Sequence, residues 1–322
     1  MSELQTVWSW LPAIYFFLGG LGAGAFCTVA VLALVTGERF RGTVRFGAWT
    51  ATVVTTAGTL ALLLDVGAPW RALVLFKSFV NFQSWMTIGA WFLFAAILLQ
   101  GLYALLWTDG VLQWSEGFWK PLREKRALWR ALVAAIGILV SLVVAAYTGI
   151  LLGVLPFRPF WNTWLLPALF TASALETGTA VVTAHASLRE QGEGVERLRK
   201  VLEVSITVLI VIEAAILGYY VLSAVAGSLD SSRAARLLTR GALGPIFWIL
   251  VVGLGLVVPF FICVTRLSGL TKRRTALLPV AGIASCLLGA FSLRSVILWA
   301  GIPASLSSPG LSQITAGIRF IP

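Results

Sequence analysis

The chain has 322 residues, 59% hydrophobic and 11% charged, with a mean hydropathy of +0.93. Soluble domains carry about a quarter charged residues, so this balance excludes a soluble globular protein and points to an integral membrane protein. The formal net charge of +11 does not point to nucleic acid, because the basic residues sit in short clusters between long apolar runs, as membrane topology places them.

The opening MSELQTVWSW has no basic stretch and no small-residue cleavage site, so the first apolar run reads as a retained span. Eight runs reach the ~20 residues that cross a bilayer: 12–36, 46–66, 86–107, 131–153, 164–187, 201–225, 243–266 and 277–300. The first contains LGGLGAGAF, in which Gly20 and Gly24 have the GxxxG spacing that lets helices approach closely. No strand precedes these glycines, so they do not signal a nucleotide site.

The segment 67–85, GAPWRALVLFKSFVNFQSW, is too polar to span and reads as an interfacial helix or re-entrant stretch. The loop Trp107–Arg130 mixes tryptophans with basic residues and reads as a headgroup-level anchor. The stretch YTGILLGVLPFRPFWN, Tyr147–Asn162, closes the fourth span; Pro156 and Pro159 end the helix and stiffen the crossing to the fifth. This brings Arg158, Trp161 and Asn162 to the interface, where they can meet headgroups or a docked partner. The tail Gly301–Pro322 has Arg319 as its single charge and is expected to lie against lipid or a partner protein.

Of the 24 lysines and arginines, 16 fall in the loops after spans 1, 3, 5 and 7. The positive-inside rule puts those loops in the cytoplasm and both termini on the outer, periplasmic side.

Ionisable side chains within spans are costly and are functional candidates by default. Asp65 and Arg294 lie toward the outer face, Glu176 and Glu213 near mid-membrane, and His185 and Glu203 near the inner face. Asp65, Glu176, Glu213 and His185 can together form a proton path; alternatively Arg294 pairs with Asp65 or Glu176 and the rest pair locally. Cys27, Cys263 and Cys286 lie in apolar runs without CxxC spacing, so they read as small buried side chains and neither a metal site nor a disulfide is expected. One histidine, His185, cannot supply both axial ligands of a membrane haem.

Five stretches resemble one family, the haem-free membrane subunits of the polysulfide reductase type, called NrfD-like. They are WLPAIYFFLGGLGAGAF (Trp10–Phe26), DVGAPWR (Asp65–Arg71), SWMTIGAW (Ser84–Trp91), the long block Tyr147–Ala180, and LLGAFSLR (Leu287–Arg294). The resemblance implies an all-α integral membrane protein with eight transmembrane helices in two four-helix bundles. The bundles would divide as 1–155, which includes the interfacial segment 67–85, and 156–300, with an outer-face tail at 301–322. It further implies a bacterial or archaeal cytoplasmic (inner) membrane location and no haem or metal in this subunit. A quinone, menaquinone or ubiquinone, would bind near the outer surface. An iron–sulfur partner, ferredoxin-like with four clusters, would dock there together with a molybdopterin-type catalytic subunit.

The family's pocket tyrosine falls on Tyr147, its D-x-G-x-P-x-R element on Asp65 and Arg71, and its late L-R element on Arg294. Where some members have an asparagine and a histidine on the first helix, Pro12 and Tyr15 stand here; Tyr15 keeps a hydroxyl donor.

The residues themselves are compatible with that implication. A quinone needs an apolar slot, polar groups at both carbonyl oxygens and a route for two protons, and tyrosines and carboxylates supply these. The chain has no evident redox centre of its own, so it would act as the quinol-reactive subunit of a respiratory oxidoreductase complex and not as a catalyst alone. Oxidation of menaquinol or ubiquinol feeding a terminal reductase is the favoured direction, and proton movement can accompany it. Two other readings remain: a secondary transporter with mid-membrane acids for ion coupling, and a purely structural anchor with a degenerate quinone pocket.

Overall fold

The computed structural model describes residues 10–65, 84–109, 125–269 and 277–302. The bulk of the expected interfacial segment, with Arg71, and the tail beyond Ile302 lie outside the described residues. Within them the chain is all helical. The helices are α1 (Trp10–Thr36), α2 (Arg41–Asp65), α3 (Trp85–Leu106), α4 (Arg126–Gly153), α5 (Leu165–Arg189), α6 (Val195–Ala226), α7 (Leu229–Thr239), α8 (Ile246–Leu267) and α9 (Leu277–Ala300).

All of these except α7 are long and apolar enough to cross a membrane, eight in number, and they coincide with the eight apolar runs. Apart from a closed barrel, only a helix satisfies every backbone polar group in lipid, and it does so within its own segment. The helices α2, α4 and α6 begin five or six residues before the runs do. Their first turns carry Arg41, Arg126 and Glu196, which interrupt hydropathy without interrupting the helix. Helix α8 is wound as a π-helix over Ile246–Val257 and returns to α over Val258–Leu267. Along this wide stretch it meets α9 where Gly255 and Gly289 touch backbone to backbone.

The sequence reading did not anticipate α7. Ser228 caps it, its hydroxyl accepting from the Ser231 N–H at 3.2 Å, and Asp230 follows in the first turn. That Ser-x-Asp start before spaced apolar residues was its signal.

Helix α1 is apolar all round and therefore has partners on several sides: it packs on α2, α4, α5 and α9. Helix α5 likewise contacts α1, α2, α4, α6 and α9. The two meet at backbone distance. A Cβ on Gly24 would lie 1.8 Å from the Ala174 carbonyl oxygen, and one on Gly178 would lie 2.1 Å from the backbone of Gly24 and Ala25. Gly20 adds to this contact, with Ala174 and the Arg294 guanidinium beside it. Small residues here permit the dispersion contact that drives helix association in lipid.

At the end bearing the basic loops, an arginine cluster ties α1 to α4 together. Arg126 Nε and Arg130 Nε both donate to the Leu106 carbonyl, at 2.7 and 3.1 Å, capping the C-terminus of α3. Asp109 bridges Arg41 and Arg126, the latter at 2.7 Å, and Arg130 pairs with Glu38. Arg130 also lies 3.9 Å above the Trp107 ring. Trp107 and Arg130, expected at headgroup level, are instead buried. The last carbonyls of α3 need donors, and a guanidinium so used draws the neighbouring indole inward with it.

Two outcomes are expected. Gly178→Leu should abolish the folded state, because the clash is with backbone and overpacking of this kind costs about 3 kcal/mol or more. Gly218→Ala, a helical site with nothing within 4 Å, should leave stability unchanged or raise it by about 0.5 kcal/mol; thermal unfolding in detergent checks both. The hydrogen bonds from Arg41 and Arg126 hold the Asp109 carboxyl at about 2, below its ordinary 3.8. A depressed folded-state value stabilises above the ordinary one and is lost as pH falls through the folded one. Asp109→Asn should therefore lower stability at neutral pH by less than about 1 kcal/mol, the site being half exposed. The difference should close between pH 4 and pH 2; one that persists unchanged would contradict the assignment.

Candidate functional site

Depth along the helices brings the candidates together before any contact between their side chains is considered. Tyr15 is five residues from the start of α1, Tyr147 and Arg294 each six from the ends of α4 and α9. At 1.5 Å per residue all three lie ~8–9 Å in from the same side.

Tyr15 and Tyr147 are neighbours. Tyr15 is fully buried, and its hydroxyl has no hydrogen-bond partner among the described residues. The Tyr147 ring lies flat on Gly89 of α3, where any Cβ would overlap it at 1.7 Å. Gly89 therefore shapes this wall: without it the tyrosine could not occupy the α3–α4 seam.

The Phe16 carbonyl, next to Tyr15, accepts from Arg294 Nε at 3.1 Å. Arg294 is wholly buried and also donates to the Ser173 hydroxyl at 3.1 Å and to the Ala290 and Phe170 carbonyls at 3.0 and 3.4 Å. Its guanidinium sits 5.2 Å from the Phe170 ring centre. Oxygen acceptors on three helices and an aromatic face thus hold a cation that lipid would not accept.

Below it, Glu176 of α5 and Glu213 of α6 lie side by side, both buried, with Ser173 close and Arg294 the nearest positive charge. Cys286 Sγ donates to Glu176 Oε1 at 3.3 Å, so this thiol has a polar role that its apolar surroundings in the sequence concealed. Ser173 was also missed; its signal was a spacing of three from Glu176 on one helical face.

The structure does not bring His185 to this pair. Nine residues at 3.6 per turn is two and a half turns, so His185 and Glu176 leave α5 on opposite faces. His185 stacks on Phe46 of α2, with ring centres 4.1 Å apart, and its Nδ1 lies 3.2 Å from the Thr43 hydroxyl, which donates to Glu190 at 2.8 Å. On the face of Glu176, a cavity of about 40 Å³ lies among Thr183, Ser187, Glu203, Cys263, Arg266 and Cys286. One water needs about 10–15 Å³ of such space, so it can hold more than one. Glu203 and Arg266, paired at 2.5 Å, stand at its basic end and Cys286 at the other.

Asp65 ends α2 exposed. The α4–α5 connection is fastened inward. Trp161 is fully buried, donating from Nε1 to the Ile297 carbonyl at 2.8 Å, and Arg158 donates to the Gly301 carbonyl. The Tyr220 hydroxyl donates to the Phe160 carbonyl at 2.8 Å. Asn162 is exposed, and its amide donates to the Gly153 carbonyl at 2.7 Å, capping α4. Trp161 therefore does not stand at the surface as expected: its indole N–H needs an acceptor and finds one inside. Exposed Phe157 and Trp164 flank it in the same connection. Among the described residues, no three His, Cys, Asp or Glu side chains gather as a metal site.

The sequence pattern described as polysulphide reductase, NrfD, matches residues 2–304. A polysulfide reductase chain of Wolinella succinogenes is 30% identical over 314 residues, an alignment that spans 92% of this protein and 94% of the relative. Protein NrfD of Escherichia coli is 28% identical, with 92% and 95% covered. A selenate reductase subunit of Mesobacillus selenatarsenatis is 24% identical, with 94% and 76% covered.

Removing the buried cation while its carboxyl neighbours remain should be severe. Arg294→Ala is expected to cost about 3–5 kcal/mol and to reduce folded yield in detergent. Adding Glu213→Gln should recover part of that loss, since it removes one of the two carboxyls that share the charge left without a counterion. Strict additivity of the two changes would show that they do not interact.

Proposed function

Because the chain belongs to the NrfD family of polysulphide reductase proteins, we propose that this multi-pass membrane protein is the quinone-reactive subunit of a respiratory oxidoreductase complex in a bacterial or archaeal cytoplasmic membrane. Its partners would be an iron–sulfur subunit and a molybdopterin-type catalytic subunit. Two of its relatives are named as a single chain or subunit of a reductase, which supports its being one component of several. Helices α1–α4 and α5, α6, α8 and α9 would form the two four-helix bundles, with both termini periplasmic.

The observation that carries this reading is the buried, unpartnered Tyr15 hydroxyl beside Tyr147. A buried hydroxyl without a partner costs free energy, and a carbonyl oxygen of a bound quinone would relieve it. The donor set fits such a head group: two phenolic hydroxyls near the outer end, within apolar walls. When bound, the quinone supplies two-electron chemistry accompanied by two protons.

The protein's own residues would do the rest. Tyr15 and Tyr147 would orient the head group through its oxygens, with Asp65 toward the outer surface. Arg294 can balance one of the two carboxylates beside it, so Glu176 and Glu213 together hold one exchangeable proton. Water in the cavity between Cys286 and Glu203 would link that proton to the basic side, while His185, on the other face of α5, would take no part. The docking face would be the α4–α5 connection, with Asn162, Phe157 and Trp164 outward and Arg158 and Trp161 fixing its shape.

In the purified complex, Tyr147→Phe and Tyr15→Phe should each lower quinol-dependent turnover by about tenfold or more without lowering thermal stability; wild-type turnover in both would overturn the quinone reading. In proteoliposomes, Glu176→Gln and Glu213→Gln should reduce protons moved per electron pair. An unaltered stoichiometry in both would sink the proton route and leave the quinone site standing.

A further inference from the structure

A second concavity lies on the opposite side of α1 from the tyrosines and is independent of them. It is a groove of about 680 Å³ between α1, α5 and α6. From Thr28 to Thr36 it follows α1 for ~12 Å, close to half of a ~30 Å hydrocarbon core, and it ends at Arg39. Val31, Val35 and Val201 stand exposed along it, so it opens sideways at hydrocarbon depth. Its uncharged lining is apolar except for Thr28, Thr36, Thr179 and Ser205, whose hydroxyls donate to the Gly24, Leu32, Leu175 and Val201 carbonyls at 2.9, 2.7, 2.7 and 2.9 Å. This lining is therefore satisfied and calls for no polar head group.

The mouth differs in chemistry. Among the described residues Arg39 and Arg197 are the charged ones in the lining, and both are exposed. Among the described residues Arg39 makes one hydrogen bond, Nη2 to the Glu193 carbonyl at 2.9 Å. It packs over Gly194, where φ is +79° and a Cβ would lie 2.5 Å from the guanidinium. The positive φ favours glycine there, and any larger residue would also push the guanidinium aside. A guanidinium has five N–H donors, and among the described residues one of Arg39's is used, which leaves others for an anion.

We propose that this groove binds one anionic phospholipid of the leaflet on the basic side, its acyl tail between α1 and α6 and its phosphate between Arg39 and Arg197. Charge complementarity selects the headgroup, and the ~12 Å apolar length below it selects a lipid over a soluble phosphate. Basic pockets between transmembrane helices bind anionic headgroups on this principle. The lipid would brace α1 against α6, and so the helix carrying Gly24 against the helix carrying Glu213.

The full-length protein, purified and delipidated in detergent, would be titrated with phosphatidylglycerol, phosphatidylcholine or inorganic phosphate. Native mass spectrometry would count bound lipid and thermal unfolding would follow stability. Phosphatidylglycerol should be retained about tenfold better than phosphatidylcholine and should raise the unfolding midpoint. Arg197→Gln, and Arg39→Gln with Arg197→Gln, should each reduce that preference. Ser205→Trp, which fills the groove without touching its charges, should reduce retention of phosphatidylglycerol. Equal retention of the two lipids by wild type, an undiminished preference in Arg197→Gln, or an equal rise in midpoint with inorganic phosphate would each overturn the proposal.

Discussion

The backbone contact between α1 and α5 is the constraint on which the arrangement of this protein depends. Two glycines, Gly24 and Gly178, bring the helices together without intervening side chains. In lipid there is little hydrophobic gain from bringing helices together, so close approach and the dispersion it permits must supply the association. With α1 and α5 locked in this way, α2 and α4 pack along α1, and α6 and α9 along α5. The Phe16 carbonyl of α1 then falls within reach of Arg294 on α9, although 278 residues separate them in sequence.

Charge is distributed according to how much of it can be balanced. At the basic end, pairs such as Arg126–Asp109 keep partial contact with water and serve to cap helices and join neighbours. In the interior, away from bulk solvent, Arg294 is held by carbonyls, a serine hydroxyl and an aromatic face, with two carboxyls nearby. Buried ions seldom add stability compared with well-packed apolar residues. Three ionisable groups at the junction of α5, α6 and α9 are therefore more than packing requires.

The α4–α5 connection shows how a membrane protein closes its end. Pro156 and Pro159 stop the helix, and carbonyls around the connection are each met by a side chain: Gly153 of α4 by Asn162, Phe160 by Tyr220, and Ile297 of α9 by Trp161. Each such bond contributes about 1 kcal/mol, and together they fix a short loop without secondary structure. A loop held this firmly on its inner side presents a defined outer surface, which is what a docking partner requires.

The sequence alone determined the eight spans, because a run of about 20 apolar residues has one stable form in a bilayer. It also marked Glu176, Glu213 and Arg294, since ionisable groups are rare and costly there, while Tyr147 and Tyr15 were marked by the resemblance of their stretches to a known family. It could not tell which of them meet. Hydropathy is blind to charged first turns, so Arg41 and Arg126 lay outside the expected spans although they are helical. It was blind to helix facing as well, so His185 was grouped with Glu176 although half a turn's phase puts them on opposite sides of α5. Trp161, read as an interfacial anchor, is buried because an acceptor 136 residues away lies beside it. Pairings of this kind are set by which helices are neighbours and how each is rotated, and that is decided by packing between segments far apart in the sequence.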